Sequence, residues 1–279
     1  MMLYLRASIL TIAFCILLLF VLYANHLTSP PVTVQVQSTT TITPTKPPSF
    51  YSAVTFDFRS DDMLIYTILN VRHHLPSDWP IQVFHGSENA EFLRNSSLSE
   101  YIKSGQIILN ETAAYGKQYS GSAWTNWMLT NISFWQKVIG EKVLFFQMDT
   151  LFCSNTPHKI TDYLRWDFIG APWHKKFNLP VSVGNGGFSL RNKTLSMKLL
   201  KLKPYDGSVP EDVWYSMHFH LVNGTVAPLE VARTFSVESI YYDRPVGMHK
   251  PFMTFEENKR FCATCPESGL VHPHCGRKF

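Results

Sequence analysis

A single carboxylate, Asp149, follows an apolar run in the sequence Lys-Val-Leu-Phe-Phe-Gln-Met-Asp. Val143–Phe146 is apolar without interruption and has polar residues on both sides, which predicts a buried strand of a parallel sheet. In open α/β sheets the ligand crevice lies beyond the carboxyl ends of the strands. Asp149 is therefore placed to bind a divalent cation or a ligand hydroxyl. The alternative is that it only caps the segment that follows.

Two adjacent acids, Glu211 and Asp212, follow Pro210 at a predicted helix start. Acids in a first turn stabilise a helix through its dipole, and this is the purely structural interpretation. If the helix opens onto the crevice, one of the two acids is a candidate general base. Adjacent helical residues point about 100° apart, so we expect one acid to face a ligand and the other to hold a structural contact.

Three glycines and one histidine mark further candidate binding segments. Gly184, Gly186 and Gly187 would let the backbone approach a ligand closely or adopt a positive φ. Their spacing is not that of a dinucleotide-binding loop, and a tight hairpin or bulge without a ligand is the alternative. His249 precedes Lys250, and imidazole commonly binds Mn²⁺-like or Zn²⁺ ions. The alternative for His249 is an ordinary hydrogen-bonding role in a loop.

The elements that must position these residues alternate between strands and helices. The predicted strands are Ala53–Phe58, Ile81–Phe84, Gln106–Leu109 and Lys142–Phe146. The predicted helices are Met63–His74, Glu88–Arg94, Ser122–Ile139, Leu195–Leu202 and Pro210–His218. We expect a loop over Trp166–Trp173 and a glycine turn leading into a strand over Gly184–Arg191. This alternation predicts an α/β domain with a mostly parallel central sheet.

The N-terminal segment predicts a membrane anchor. Residues 9–24 are almost wholly apolar and, with Leu3–Leu5, reach about 20 residues, the length that spans a bilayer. A cleaved signal peptide is the alternative, but Leu22 occupies the position where cleavage after Ala24 needs a small residue. Arg6 predicts that residues 1–8 stay in the cytoplasm. The Thr/Pro-rich residues 25–50 predict an extended stem, and residues 51–279 a luminal domain.

Four cysteines lie outside the apolar N-terminal segment: Cys153, Cys262, Cys265 and Cys275. In an oxidising lumen this number predicts two disulfides, with three connectivities open. The alternative is that the C-terminal cysteines bind zinc together with His272 and His274.

Bulk composition excludes some classes of protein. The chain has 279 residues, of which 45% are hydrophobic and 14% aromatic, which is typical of a globular protein rather than a disordered one. The net charge is only +4, and no basic run exceeds two residues. Such a chain lacks the stripe of Lys and Arg that neutralises phosphates, so we expect no nucleic-acid partner.

Five Asn-x-Ser/Thr sequences support a luminal location. One of them, Asn131, falls on the apolar face that Trp124, Trp127 and Trp135 share at helical spacing. A glycan there would oppose packing, so we predict that Asn131 carries none. We expect glycan at some of the other four, which are Asn95, Asn110, Asn192 and Asn223. Peptide mass spectrometry of the secretory-pathway protein checks this, and glycan on Asn131 would contradict the helix assignment or its orientation.

Six motifs in order resemble a eukaryotic family catalogued as a domain of unknown function, whose members resemble glycosyltransferases of the GT-A fold. The resemblance covers roughly residues 53–251. The motifs are Gln147-Met-Asp149, Asp167-Phe-Ile-Gly-Ala-Pro-Trp173, Val183-Gly-Asn-Gly-Gly-Phe-Ser-Leu-Arg191, Pro210-Glu-Asp-Val-Trp-Tyr-Ser216, Phe235-Ser-Val-Glu238 and Gly247-Met-His-Lys-Pro251. The resemblance implies a single GT-A-like domain with a nucleotide-sugar site at the strand ends.

The resemblance also implies roles for the metal-binding and donor-binding residues. In GT-A enzymes an Asp-x-Asp motif holds a divalent cation, usually Mn²⁺, against the donor diphosphate. Here Asp149 matches the second acid, and Gln147 replaces the first, where it retains the ability to hydrogen-bond a ribose hydroxyl. His249 resembles the late histidine that completes the metal site. Asp57 and Arg59 lie where the fold reads the nucleotide.

Catalytic and acceptor residues follow from the same resemblance. Asp212 is the expected general base, with Glu211 as the fallback, and the glycine segment is expected at the acceptor. Trp173 is expected to stack on a sugar face, and Lys250 to bind the donor. The chain is thus expected to be a type II membrane glycosyltransferase of the Golgi or ER, acting on a luminal glycan or glycoprotein. A non-catalytic nucleotide-sugar or glycan-binding protein is the main alternative, and a metal- or disulfide-organised adhesion domain is the second.

Overall fold

The structure is a computed structural model that describes residues 49–112, 121–271 and Cys275. The predicted span at residues 9–24 lies outside the described residues, as does nearly all of the predicted stem. Within the part of the chain that is described, no helix combines the length and the apolar character needed to cross a membrane.

A six-stranded mixed sheet organises the described residues. Its spatial order is β3-β2-β1-β4-β7-β6. The first four strands in this order are parallel, while β7 runs antiparallel to both β4 and β6. The strands of this sheet are β1 (Tyr51–Phe56), β2 (Ile81–His85), β3 (Ile107–Glu111), β4 (Lys142–Phe146), β6 (Phe168–Pro172) and β7 (Val183–Asn192). The predicted α/β architecture is confirmed, with a parallel core and an antiparallel flank.

Helices connect the strands and cover the sheet. The first half of the chain forms α1 (Asp62–His74), α2 (Ala90–Arg94), α3 (Ser99–Lys103), α4 (Ser122–Leu129) and α5 (Ile132–Lys137). The second half forms α6 (Lys193–Leu202), α7 (Glu211–His218), α8 (Leu229–Phe235), α9 (Phe255–Thr264) and α10 (Ser268–Val271). Short 3₁₀ turns occupy Ser87–Asn89, Ile160–Tyr163, Lys175–Phe177 and Phe219–Val222.

The apolar core lies on both faces of the sheet. Alternate residues of β4 point to opposite sides, so that Leu144 and Phe146 join one cluster while Val143 and Phe145 join the other. All four side chains are fully buried. Burial on both faces explains why this strand reads as an unbroken apolar run, and it confirms the prediction of a buried strand at Lys142–Phe146.

A second, three-stranded sheet has the order β5-β9-β8. Its strands are β5 (Thr150–Phe152), β8 (Ser236–Val237) and β9 (Gly247–His249). Two disulfides, Cys153–Cys265 and Cys262–Cys275, attach the C-terminal helices next to this sheet. The two predicted disulfides are therefore present, the open connectivity is resolved, and all four cysteines are consumed, which removes the zinc alternative.

The expected loop over Trp166–Trp173 is wrong, because most of it forms β6. Glycine and proline in Gly170-Ala-Pro172 read as loop residues, but β6 is an edge strand, where the missing amide of Pro172 is tolerated. Gly170 is required because a Cβ atom there would collide with the backbone of Asn185 in β7. The glycine-rich segment likewise belongs to β7 itself rather than to a turn before it.

The single helix predicted over Ser122–Ile139 is also wrong, since the chain forms α4 and α5 with a break at Thr130. Asn131 is the N-cap of α5, and its side-chain oxygen accepts a hydrogen bond of 2.8 Å from the Ser133 amide. Helix-face packing therefore no longer supports the prediction that Asn131 carries no glycan. Partial burial at the junction of the two helices does support it.

The other four glycosylation candidates differ in accessibility. Asn95 and Asn223 are exposed. Asn110 accepts a hydrogen bond from Gln82, and Asn192 caps α6 while its side-chain nitrogen donates to Asp167 at 3.0 Å. A glycan on Asn192 would leave this nitrogen one hydrogen and attach a sugar next to its contact with Asp167, so Asn95 and Asn223 are the better-suited sites.

Candidate active site

A cleft of about 780 Å³ opens beyond the carboxyl ends of β1 and β4. Its walls come from seven segments: the ends of β1 and β4, the 3₁₀ turn at Ser87–Asn89, the start of α4, the start of β7, the N-terminus of α7 and the end of β9. The polar residues that line it are Asp57, Arg59, Glu88, Ser122, Thr125, Asn126, Gln147, Asp149, Asn185, Glu211, Asp212, His249 and Lys250. The fold thus brings most of the predicted site residues together.

Asp149 and His249 form a carboxylate–imidazole pair in this cleft. Antiparallel pairing of β5 with β9 places Thr150 opposite His249, which sets the two side chains side by side. Nε2 of His249 lies 3.3 Å from Oδ1 of Asp149. Burial raises the pKa of Asp149, but the hydrogen bond from His249 outweighs this and leaves the pKa below its ordinary value.

Two further residues, Asn185 and Glu238, contact the other ring nitrogen of His249. Nδ1 of His249 lies 2.9 Å from Oδ1 of Asn185 and 3.5 Å from the carboxylate of Glu238. The amide nitrogen of Asn185 in turn donates to Glu238 at 2.8 Å. Burial lowers the pKa of His249, but hydrogen bonds to Asp149 and Glu238 outweigh this and raise the pKa to about 9. Gly187 is required here because a Cβ atom would collide with the imidazole ring.

The chemistry of this donor set fits a divalent cation. Carboxylate oxygen and imidazole nitrogen together suit Mn²⁺-like ions, and a metal-ligating imidazole almost always donates its other nitrogen to an acceptor such as Asn185. The described residues contain no group of three or more His, Cys, Asp or Glu side chains that could form a complete cage. Asp149 and His249 would therefore be the protein ligands, with substrate oxygens filling the other positions.

Replacing Asn185 by Ala or Glu238 by Gln is expected to weaken Mn²⁺ binding about 10- to 100-fold, the usual effect of removing the outer partner of a ligating histidine. Titration followed by Mn²⁺ electron paramagnetic resonance measures this without requiring turnover. Glu100→Gln is the matched control because that side chain is 79% exposed in α3 and does not line the cleft. Unchanged affinity in both Asn185→Ala and Glu238→Gln would show that neither residue positions His249.

Glu211 and Asp212 are adjacent in α7 and, as predicted, their side chains make different contacts. Glu211 is buried and makes two hydrogen bonds, of 2.7 and 2.9 Å, to the fully buried guanidinium of Arg191. Burial raises the pKa of Glu211 to about 7, although the ion pair with Arg191 opposes this shift. Glu211 is therefore the structural acid, and its predicted fallback role as the base is not what the geometry favours.

Asp212 also borders the cleft, but backbone amides rather than a guanidinium hold its carboxylate. Its two carboxylate oxygens accept hydrogen bonds of 2.8 Å from the backbone amides of Gly186 and Val213. Burial raises its pKa, while these two amides oppose the shift. A carboxylate fixed in this way, with a pKa raised above the ordinary value, is suited to accept a proton from a bound hydroxyl.

Positive charge enters the cleft from two sides. Asp57 holds Arg59 with contacts of 2.9 and 2.5 Å, and the side-chain nitrogen of Asn89 donates to the carbonyls of both residues. Lys250 has a positive φ of 38°, unusual for a residue with a side chain, and its amide donates to the Asp149 carbonyl at 3.0 Å. Such strained backbone clusters at binding sites.

Two predicted residues, Trp173 and Gly184, do not line the cleft. Trp173 is buried and lines a separate cavity, so a role in stacking on a sugar in the cleft is not supported by its position. Gly184, with φ 122°, is needed because Ser216 and Phe168 leave no room for a Cβ atom. Gln147 does line the cleft, but its amide nitrogen donates to Thr125 Oγ1 at 2.9 Å.

Asn185 and Glu238 are the site residues that sequence reasoning missed. Both lie inside motifs that were singled out, yet neither a lone amide nor a lone acid carries a signal of its own. Both residues contact His249 only because β8 and β9 lie close to β7, and these strands are far apart in the sequence. Thr125 and Asn126 on α4 were missed for the same reason, the latter accepting a hydrogen bond of 3.1 Å from the Glu211 amide.

Solved structures similar to this chain include three glycosyltransferases. GlyE of Streptococcus pneumoniae TIGR4 is 16% identical, with a TM-score of 0.46 over 71% of this chain and 54% of its own. The mannosyltransferase PcManGT of Pyrobaculum calidifontis, solved with GDP-Man and Mn²⁺, is 13% identical, with a TM-score of 0.44 over 67% of this chain and 56% of its own. WbbM, a bifunctional glycosyltransferase, is 12% identical, with a TM-score of 0.45 over 81% of this chain and 51% of its own.

The chain thus spans about half the length of these solved structures. No curated protein matches its sequence. A family model does match, over residues 112–249, which include α4 to β9 and all the candidate site residues except Asp57, Arg59, Glu88 and Lys250. That stretch of the chain is similar to a protein family of unknown function, DUF5672.

Proposed function

We propose that this protein is a glycosyltransferase that moves a sugar from a nucleotide-sugar donor to a hydroxyl of a luminal glycan or glycoprotein. One observation carries the proposal: a single cleft holds the Asp149–His249 pair and, on another wall, the separately fixed carboxylate of Asp212. The first suits a cation that binds a diphosphate, and the second suits a general base. The resemblance of the six motifs to a family whose members resemble GT-A enzymes supports these roles.

The reaction requires a bond exchange at the anomeric carbon of the donor sugar. Asp212 accepts the proton of the acceptor hydroxyl while the acceptor oxygen bonds to the anomeric carbon, and the bond from that carbon to the diphosphate breaks. Arg59 and Lys250 orient the phosphates and stabilise the negative charge of the leaving diphosphate. A divalent cation held by Asp149 and His249, when bound, supplies Lewis-acid stabilisation of the same leaving group.

The proposal includes the location of the protein. Residues 9–24 would anchor it in the membrane as a type II protein, with residues 25–50 as a stem and the catalytic domain in the lumen of the Golgi or ER. The two disulfides support an oxidising compartment. Two exposed glycosylation sequences, at Asn95 and Asn223, support the same location.

A second candidate is a non-catalytic binding protein of the same fold. Gln147 favours it, because an amide stands where an acid would add negative charge, and Thr125 engages that amide. This candidate binds a nucleotide sugar without turnover. Calorimetry together with product analysis separates the two candidates, because only the enzyme releases nucleoside diphosphate from a bound donor.

The experiment that tests the proposed function measures donor hydrolysis and transfer by the full chain in detergent, across a panel of nucleotide sugars with Mn²⁺. Asp212→Asn is expected to lower transfer about 10²- to 10⁴-fold, the usual contribution of a general base. Asparagine keeps one oxygen to accept from the Gly186 amide, but its nitrogen meets the Val213 amide. The melting temperature and the donor affinity of the variant are therefore measured beside its activity. Asp206→Asn, on an exposed loop, is the control. Transfer at the wild-type rate in Asp212→Asn would remove the assigned base.

A further inference from the structure

A second cavity, of about 550 Å³, lies at the same edge of the sheet as the cleft. Because β6 and β4 both run antiparallel to β7, they point in the same direction. The end of β6 at Pro172 therefore lies at the edge where β4 delivers Gln147 and Asp149. Segment 173–183, which follows β6, forms one wall of this cavity, and residues 226–229 form another.

Helix α7 connects the cavity with the proposed base. Ser216 lines the cavity and Asp212 lines the cleft. Residues four apart in a helix share one face, about 6 Å apart along the axis. The start of β7 makes the same link, since Val183 borders the cavity while Asn185 borders the cleft. A ligand that presents a hydroxyl to Asp212 and extends along α7 would enter the cavity.

An exposed aromatic pair is formed by residues that neighbour both openings in sequence. The rings of Phe177 and Phe252 have centroids 6.4 Å apart and are 41% and 61% exposed. Nζ of Lys176 lies 5.4 and 4.8 Å from the two ring centroids. Phe252 is two residues from Lys250 of the cleft, and Phe177 is adjacent in sequence to Asn178, which lines the cavity. Exposed rings offer apolar faces of the kind that pack against the C–H faces of sugars.

The charge of this surface is basic. The side chains lining the cavity include Lys175 and His174, and none of the described lining residues is Asp or Glu. Glu257 is close enough for its charge to interact with His174, so the basic character of the lining depends on Lys175. An anionic ligand group would find the Lys175 ammonium as a donor at the cavity, without a carboxylate in the described lining.

We propose that the cavity and the Phe177–Phe252 pair form a distal subsite for an oligosaccharide acceptor that carries acidic sugars. The terminal sugar lies at Asp212, the following sugars pack on the two rings, and a carboxylate or sulfate group contacts Lys175. The proposal rests on the proposed function for the identity of the terminal site. The distal subsite itself requires only glycan binding.

The test is binding of the full chain in detergent to an array of neutral, carboxylated and sulfated glycans of one to eight sugars, followed by affinity measurement on the best-bound acidic member. We expect acidic members of three or more sugars to bind most tightly. Phe177→Ala and Phe252→Ala should each weaken binding about 10-fold, and Lys175→Gln should remove the preference for acidic over neutral chains of equal length. These side chains are exposed, so their replacement should leave folding intact. Phe50→Ala is the matched control, since Phe50 is 57% exposed just before β1.

The outcomes separate the subsite from the proposed function. If the wild type hydrolyses a donor, and the three variants hydrolyse it at the same rate but lose glycan binding, both the subsite and the proposed function are supported. Glycan binding without hydrolysis of any donor retains the subsite and removes the enzyme. Hydrolysis by a chain that binds no oligosaccharide better than its monosaccharide overturns the subsite alone, and so does wild-type binding by the variants. Binding that requires a peptide rather than the glycan overturns it as well.

Discussion

Asp149→Asn is expected to lower the rate of donor turnover about 10³-fold, which corresponds to roughly 4 kcal/mol of transition-state stabilisation. The substitution keeps the shape of the side chain but removes the negative charge that lies 3.3 Å from Nε2 of His249 and that would hold a cation. Mn²⁺ affinity should fall in parallel, and activity should recover in part as Mn²⁺ is raised. Asp243→Asn is the control, because that carboxylate is 61% exposed at the surface.

Combination with His249→Ala tests whether the two residues act on one cation. Each single variant should already lose the cation, so the double variant should lose little more activity than either one. Additive losses would mean that Asp149 and His249 act independently, and Asp149→Asn with full activity would remove the assigned metal role. Steady-state rates over a range of Mn²⁺ concentrations, for the wild type and the three variants, distinguish these results.

The part of the site that sequence predicts well is local. Asp149 follows an apolar strand, and Asp212 follows a proline at a helix start, so each position is determined within about ten residues of chain. Strand β9 brings His249 to Asp149 across roughly 100 residues, and motif resemblance, rather than spacing, supplied that expectation. Asn185 and Glu238 had no comparable signal, because their function exists only when the network around His249 has assembled.

The same distinction applies to the strands and helices: those with a local sequence pattern are predicted, and those that depend on distant residues are not. Strand β4 is predicted because its burial on both faces requires an unbroken apolar run, which is visible in the sequence. Strand β6 is not, because its edge position tolerates the Gly170 and Pro172 that otherwise indicate a loop. The break between α4 and α5 is not predicted, because the helical spacing of apolar residues continues on both sides of Asn131. In the structure Asn131 is the N-cap of α5, so a second helix begins there.

Arg191→Met is expected to destabilise the folded domain by about 3–5 kcal/mol, because it leaves the carboxylate of Glu211 buried without its partner. For a domain of this size the melting temperature should fall by about 10 °C. Arg191 also packs over the rings of Phe168 and Tyr215, so part of the loss is packing. Removing both charges, in Arg191→Met with Glu211→Leu, should recover much of the stability.

The pH dependence of this loss distinguishes an unpaired charge from lost packing. Burial already raises the pKa of Glu211 to about 7 with Arg191 present, and removing the guanidinium raises it further. A carboxyl whose folded-state pKa is raised favours the folded state below its unfolded pKa, and this contribution is lost as pH rises through the folded pKa. The deficit of Arg191→Met relative to the wild type should therefore be larger at pH 8 than at pH 5, where Glu211 is protonated and neutral. Melting curves of both proteins at the two pH values measure it, with the 55% exposed Arg244, replaced by Met, as the control. An equal loss of stability at both pH values would mean that Arg191 stabilises the domain by packing rather than through the buried ion pair. In either case Arg191 holds the N-terminus of α7, which carries Asp212.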